Sequence, residues 1–464
     1  MVTGRRAAPV LAACAMQGLW AAPALGHASE RGQIMLLPTG LYMLGGGLAV
    51  LASVLLMLFL PAVARWKAPQ RELSIANIPP VLRNVTSLSS LVLLSLLVFA
   101  GFFGPADPIS NPLPGFIWSL WWFGFTLLCL LVGNLWPLFN PWTGFFNLIG
   151  PSWPLLRYPA WLSYWPAVGS FFAFAWFELV YPAADDPPRL GIAITAYFAV
   201  NLCGLLLFGQ KKWMRKAEAF SVYFRMVGKL SPLQWSITES KLRVQLGLPG
   251  HGLLWNKSVN YAEAVFILLA LATVSFDGFS QTFFWVDSLG LNPLEFPGRS
   301  AVILDNTVGL GLMALGLSIA YAVAVVAGSF ITRTLRVPGL VLAIVPIALA
   351  YHFAHYLPDF PVDALKVMKA LSDPFGSGLN LFGTADINPP ASIMMDYKVA
   401  TWVYRLQTAI IVMGHIMAVA IAHLLSLQSG IGIKRTVVSQ APLNSLMVLY
   451  TIFGLWLLST PVIS

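Results

Sequence analysis

Apolar runs of about 18 residues or more recur along the whole chain and leave it few ways to fold. Each is long enough to cross a hydrocarbon layer of about 30 Å as a helix. In that layer only helices and closed barrels satisfy their own backbone polar groups. The two-residue alternation of an outer-membrane barrel is missing, so the expected fold class is an all-α polytopic transmembrane helix bundle. Composition agrees: 58% of the 464 residues are hydrophobic and 10% charged, against about 45–50% and about 25% in ordinary soluble domains.

Residues 1–28 read as a signal peptide, with Arg5 and Arg6, an apolar stretch over 7–22, and Ala24-Leu25-Gly26-His27-Ala28 at the end. Cleavage after Ala28 and after Gly26 both satisfy the small-residue rule, and the second would leave His27 as an N-terminal copper chelator. An uncleaved first helix is the alternative. Residues 29–464 are then a single transmembrane domain, with spans expected at 36–61, 85–104, 115–133, 161–181, 190–209, 260–284, 303–331, 338–357, 400–427 and 443–460.

The net charge of +9 follows topology rather than a nucleic-acid partner. Arg65, Lys67, Arg71 and Arg83 cluster after the first span. Lys211, Lys212, Arg215, Lys216, Arg225, Lys229, Lys241 and Arg243 occupy the segment 210–259, and Arg333, Arg336, Lys434 and Arg435 fall in two further loops. The intervening loops carry Asp107, Asp185, Asp186, Asp287, Glu295, Asp359, Asp363, Asp373, Asp386 and Asp396. The positive-inside rule places the basic loops in the cytoplasm, which implies a multi-pass protein of the bacterial inner membrane with a periplasmic N-terminus. The loop 210–259 is expected to lie against anionic membrane lipids. The Pro- and Trp-rich segment 134–159 is expected as an interfacial or partly re-entrant loop with its tryptophans at headgroup level, and the Gly-rich loop 358–397 as a lid over a site. Cys14, Cys129 and Cys203 imply neither a disulfide framework nor a cysteine metal site. No repeat at a fixed period appears, and a second subunit is left open.

Against this background the ionisable residues inside apolar runs need partners, because burying one unpaired costs several kcal/mol. His352 and His355, at i and i+3, lie about 60° apart on one helix and can aim at one point. Adjacent-turn histidines commonly hold a transition metal, and they also occur as interfacial or structural residues. His415 is expected near mid-depth of its span. His423, about 12 Å further along, is too far to share its metal and is expected at headgroup level. Asp277 and Glu178 fall at the depth of His352 and His355, so ligand-type residues from several helices can meet in the outer half of the bundle. Capping, or pairing with Arg189 or Arg299, is the alternative for the two acids. Phosphate loops, nucleophile elbows and His-Glu-x-x-His helices are missing from the sequence.

In several of these segments the chain resembles the polytopic bacterial membrane proteins of the fenitrothion hydrolase family. The stretches that carry the resemblance are Leu138-Phe139-Asn140-Pro141-Trp142, FFAFAWFEL at 171–179, AFSVYF at 219–224, TVSFDGFS at 273–280, VPIALAYHFAHY at 345–356, residues 372–386, Gly414-His415, Ala422-His423 and GLWLLS at 454–459. They span nearly the whole mature chain in order. The resemblance implies hydrolysis of a lipophilic phosphotriester to a nitrophenol and a dialkyl thiophosphate. A compatible mechanism has a divalent transition metal (Zn, Co, Mn or Cu) held by His352, His355, His415 and an acid activating a water. Asp277 or Glu178 then takes the proton, within walls supplied by Phe283, Phe284, Trp285 and Tyr356. Two rival readings use the same histidines. One is a permease or metal-handling protein passing Cu or Zn, for which Met394 and Met395 are further candidates; the other is a b-type cytochrome ligated by His355 and His415.

Overall fold

The computed structural model describes residues 38–59, 71–77, 80–151, 153–238, 241–254, 259–332, 339–428 and 433–463. The expected signal segment with Cys14 and His27 lies outside them, as do Arg65, Lys67, Arg333 and Arg336. Helices dominate. The chain runs through α1 (Thr39–Phe59), α2 (Pro80–Phe103) and α3 (Pro112–Val132), the last with a π-helical stretch over Phe116–Phe125. Two short helices follow, α4 (Trp136–Phe139) and α5 (Pro141–Ile149), then α6 (Trp165–Leu179) and α7 (Pro187–Phe208). Next come α8 (Gln210–Lys216), α9 (Ala219–Gly228), α10 (Tyr261–Ser280), α11 (Phe283–Ser288) and α12 (Ile303–Thr332). A 3₁₀ turn over Gly339–Ile344 leads into α13 (Val345–Tyr356), followed by α14 (Phe360–Ser372), α15 (Tyr397–Leu427) and α16 (Ile433–Ser459).

Among the described residues nine helical segments are long and apolar enough to cross a membrane. The tenth expected span is α6, which is helical but only 15 residues long. The architecture is therefore the expected all-α transmembrane bundle. Local chemistry starts its helices: Asn111, Asn140 and Asp186 each accept a backbone N–H from the first turn and are each followed by Pro at the first helical position. Burial sorts the helices into two classes. The crossing windows of α10 and of Gly339–Tyr356 are 83% and 78% buried, against 22% for α1, α2 and α12, so α10 and α13 form the centre and the others face lipid.

The segment 210–259 is more than the surface loop the sequence suggested. Its helix α9 enters the bundle and packs against α3, α6 and α13, with every residue except Arg225 buried. What allows this is Glu218, buried at its N-terminus. The carboxylate accepts from Trp136 Nε1 (2.9 Å), Tyr197 Oη (2.7 Å), Phe220 N (3.1 Å) and Ser221 N (2.6 Å). Two ring-borne donors and two helix-end amides thus share one acceptor, and none of the four is left orphaned. Trp136 and Trp142 are buried in this core, while Trp153 of the same segment is exposed. Helix α5, which contains Trp142, is fixed to α2 by Ser87, whose hydroxyl donates to Asn140 O (2.5 Å) and accepts from Gly144 N (2.7 Å).

The same end of the molecule carries a small antiparallel sheet of order β1-β3-β2, formed by Arg71–Asn77, Lys241–Leu246 and Leu233–Thr238. No alternation in the sequence had pointed to it. Deep in the bundle, Tyr351 donates to Tyr450 O (2.6 Å), and the Tyr450 hydroxyl bonds that of Ser275. This contact depends on Gly454, where a Cβ would stand 1.7 Å from Tyr351 Oη. Gly454→Ala should therefore expel the tyrosine and cost about 2 kcal/mol, read as a lowered thermal midpoint in detergent; an unchanged midpoint would refute the packing.

Candidate functional site

At the end of the bundle opposite the sheet, α6, α10 and α13 bring Glu178, Asp277, His355 and Tyr356 together. The Asp277 carboxylate accepts from His355 Nε2 (2.8 Å), Tyr356 Oη (3.0 Å) and Gln281 Nε2 (2.9 Å). Tyr356 Oη also lies 2.8 Å from Glu178 Oε1. A phenol has one proton to give, so two full-strength contacts to carboxyl groups require a second proton. Asp277 already accepts from His355 and Gln281 on its two oxygens, which makes Glu178 the group that carries it. The resulting file runs from the Glu178 carboxyl through Tyr356 to Asp277 and His355. Because a carboxylate only accepts, the His355 tautomer has its proton on Nε2. His355 Nδ1 has no hydrogen-bond partner among the described residues, and the side chain keeps 18% of its surface exposed.

These groups line a cavity of about 510 Å³, in the size range of small-molecule sites. Its lining includes the exposed Arg299 and Asp185 and the partly exposed Asp359 at the rim, and the buried Gln407, Met394 and Leu458. Arg299 Nη1 donates to the Glu178 backbone carbonyl (3.0 Å) and so ties the rim to the end of α6. Desolvation pushes the Asp185 carboxyl up from its ordinary range and Arg299 draws it part of the way back.

The expected metal set is not brought together. His352 and His355 diverge despite their spacing: His355 turns to Asp277, while His352 enters an aromatic box of Trp122, Phe123 and Tyr356 with Nε2 unpaired. His415 lies elsewhere, its Nδ1 2.8 Å from Ile411 O on its own helix and its ring against Tyr351 and Tyr450. It does not line the cavity. Among the described residues no three His, Cys, Asp or Glu side chains form a group able to hold a metal ion. His355 and His415, the two candidate haem ligands, thus have different neighbours. His423 is buried beside Gln440, four residues before the end of α15.

Other expectations shift too. Of the four aromatic wall residues only Tyr356 lines the cavity; Trp285 donates to Asn306 and Phe284 is exposed. The Gly-rich loop does not cover the site. Asp373 accepts from Ser377 N and Gly378 N, and Phe375 packs on Phe99 at the end of α2. From the 358–397 segment, Pro358, Asp359 and Met394 reach the cavity. Tyr356 as a bridge, and Gln281, Arg299 and Gln407 as site residues, were missed. Gln281 was the most accessible of these, since it follows Asp277 by four residues on one helix face. No protein-family model, no curated protein and no solved structure matches this chain.

Proposed function

We propose that the chain is an integral membrane hydrolase of lipophilic organophosphorus triesters, working by proton transfer within the Glu178–Tyr356–Asp277–His355 file. The observation that carries this reading is a histidine held by a buried carboxylate, with its second nitrogen unpaired, in the wall of a cavity large enough for an aryl ester. His355 Nδ1 takes a proton from a water as its oxygen bonds to phosphorus, and Asp277 stabilises the imidazolium. The phosphorus–aryl oxygen bond breaks, and the departing aryl oxide takes a proton from Tyr356, which Glu178 replenishes; the proton gained by His355 then returns through Asp277 and Tyr356 to Glu178 and closes the cycle. The resemblance noted above supports the substrate class, and the positive-inside rule would put the cavity on the periplasmic face. His352, His355 and His415 occupy three separate environments, and the mechanism proposed routes no step through a metal.

The test is release of the nitrophenol from fenitrothion by detergent-purified protein, followed by absorbance. Tyr356→Phe, which cuts the file while keeping the ring, is expected to lower kcat about 10²-fold with little change in KM. Absence of turnover by the wild-type protein, or full turnover by the variant, would overturn the proposal.

A further inference from the structure

The proton file does not end at Glu178. Behind it a second cavity of about 20 Å³ is lined by Glu178, Tyr356, His352, Tyr223, Thr273 and Met226. A third, of about 10 Å³, is lined by Met226, Arg225, Lys229 and Glu263 toward the sheet end. Glu178 and Tyr356 are shared by the first two cavities and Met226 by the last two. A water needs about 10 to 15 Å³ of such space, so each small cavity has room for about one. One face of α10 backs the whole series: Glu263, Phe266, Ala270, Thr273 and Asp277 follow at steps of three or four residues and span about 21 Å of helix.

The polar atoms along this stripe suit proton carriage. His352 Nε2 and Trp122 Nε1 are buried beside the middle cavity without partners, and the Thr273 hydroxyl borders it. Arg225, Lys229 and Glu263 are each partly exposed where the stripe reaches the far face. Ionisable groups so placed within a membrane protein are costly unless they are used. Here they stand at both ends and in the middle of one path.

We propose that this stripe is a proton pathway across the bundle, loading Glu178 from the face that carries the sheet. A proton enters at Glu263, passes by water in the two small cavities and by His352 Nε2, and reaches the Glu178 carboxyl. It leaves through Tyr356, Asp277 and His355 into the large cavity. Each transit moves one positive charge across the membrane, so the protein carries a current whether or not it also hydrolyses an ester.

The experiment is proton uptake into vesicles holding the purified full-length protein and a trapped pH-sensitive dye, driven by a valinomycin-imposed potassium potential and without substrate. Wild-type vesicles should acidify faster than protein-free ones. Glu263→Gln, at the accessible mouth, and Ala270→Leu, which fills the middle cavity, should each return the rate to the protein-free level. Both variants should hydrolyse fenitrothion in detergent as well as wild type, which separates this proposal from the hydrolase reading. A wild-type rate equal to that of empty vesicles, or undiminished flux in both variants, would overturn it.

Discussion

Asp277→Asn should lower turnover of a lipophilic aryl phosphotriester by about 10³-fold, the largest loss expected from any single change in the cavity wall. Asp277 fixes three partners at once, and the amide replaces one of its acceptor oxygens with a donor. The NH₂ group then faces either Gln281 Nε2 or the His355–Tyr356 side. In the second case His355 must turn its unprotonated nitrogen toward position 277, which moves its proton to Nδ1 and removes the base. The loss should appear in kcat and not in KM, because nothing that touches the bulk of the substrate has changed. Single-turnover kinetics with the purified variant would check it. A variant that keeps wild-type kcat would place the base elsewhere in the cavity. A variant that loses its thermal midpoint along with its activity would show that Asp277 acts through stability.

The largest expected effect on stability belongs to a residue outside the cavity. Glu218→Ala leaves Trp136 Nε1, Tyr197 Oη and two amides at the start of α9 without an acceptor, inside a region with almost no water. Stranding buried donors in this way is expected to cost about 3 to 5 kcal/mol. In detergent the thermal midpoint should fall steeply, and Glu218→Gln, which keeps one carbonyl oxygen, should lie between the two. A midpoint unmoved by the alanine would mean that the four donors find other acceptors.

How far these features could be read from the residues depended on their range. The membrane crossings were visible because hydropathy is a local sum: ten segments fall where the apolar runs are, including the short α6. Helix α9 was hidden because its flanks carry Lys216 and Lys229 and its interior Arg225, so a local reading takes it for a basic loop. Its burial is decided by Glu218, Trp136 and Tyr197, which lie up to 82 residues apart. The histidines teach the same lesson. Spacing limited where His352 and His355 could point, but the choice between Asp277 and an aromatic box was made by neighbours on other helices. Glu178 and Asp277 were recognisable as costly residues at matched depths. That one phenol, Tyr356, joins them could be learned only from the packing.

Helix α9 also constrains the order in which the protein can be made. Ten residues are about half of what a membrane crossing requires, so insertion machinery that reads apolar length has no reason to hold this segment in the bilayer. One of its walls is α13, which emerges more than 100 residues later. At about 5 to 20 residues per second, α9 waits on the order of ten seconds for that wall. Throughout that interval the part of its apolar face that meets α13 has no permanent partner, although α3 and α6 are already made. Slowed elongation between the two segments, or loss of a chaperone that shields such a face, would therefore damage this protein during synthesis while leaving the finished molecule untouched.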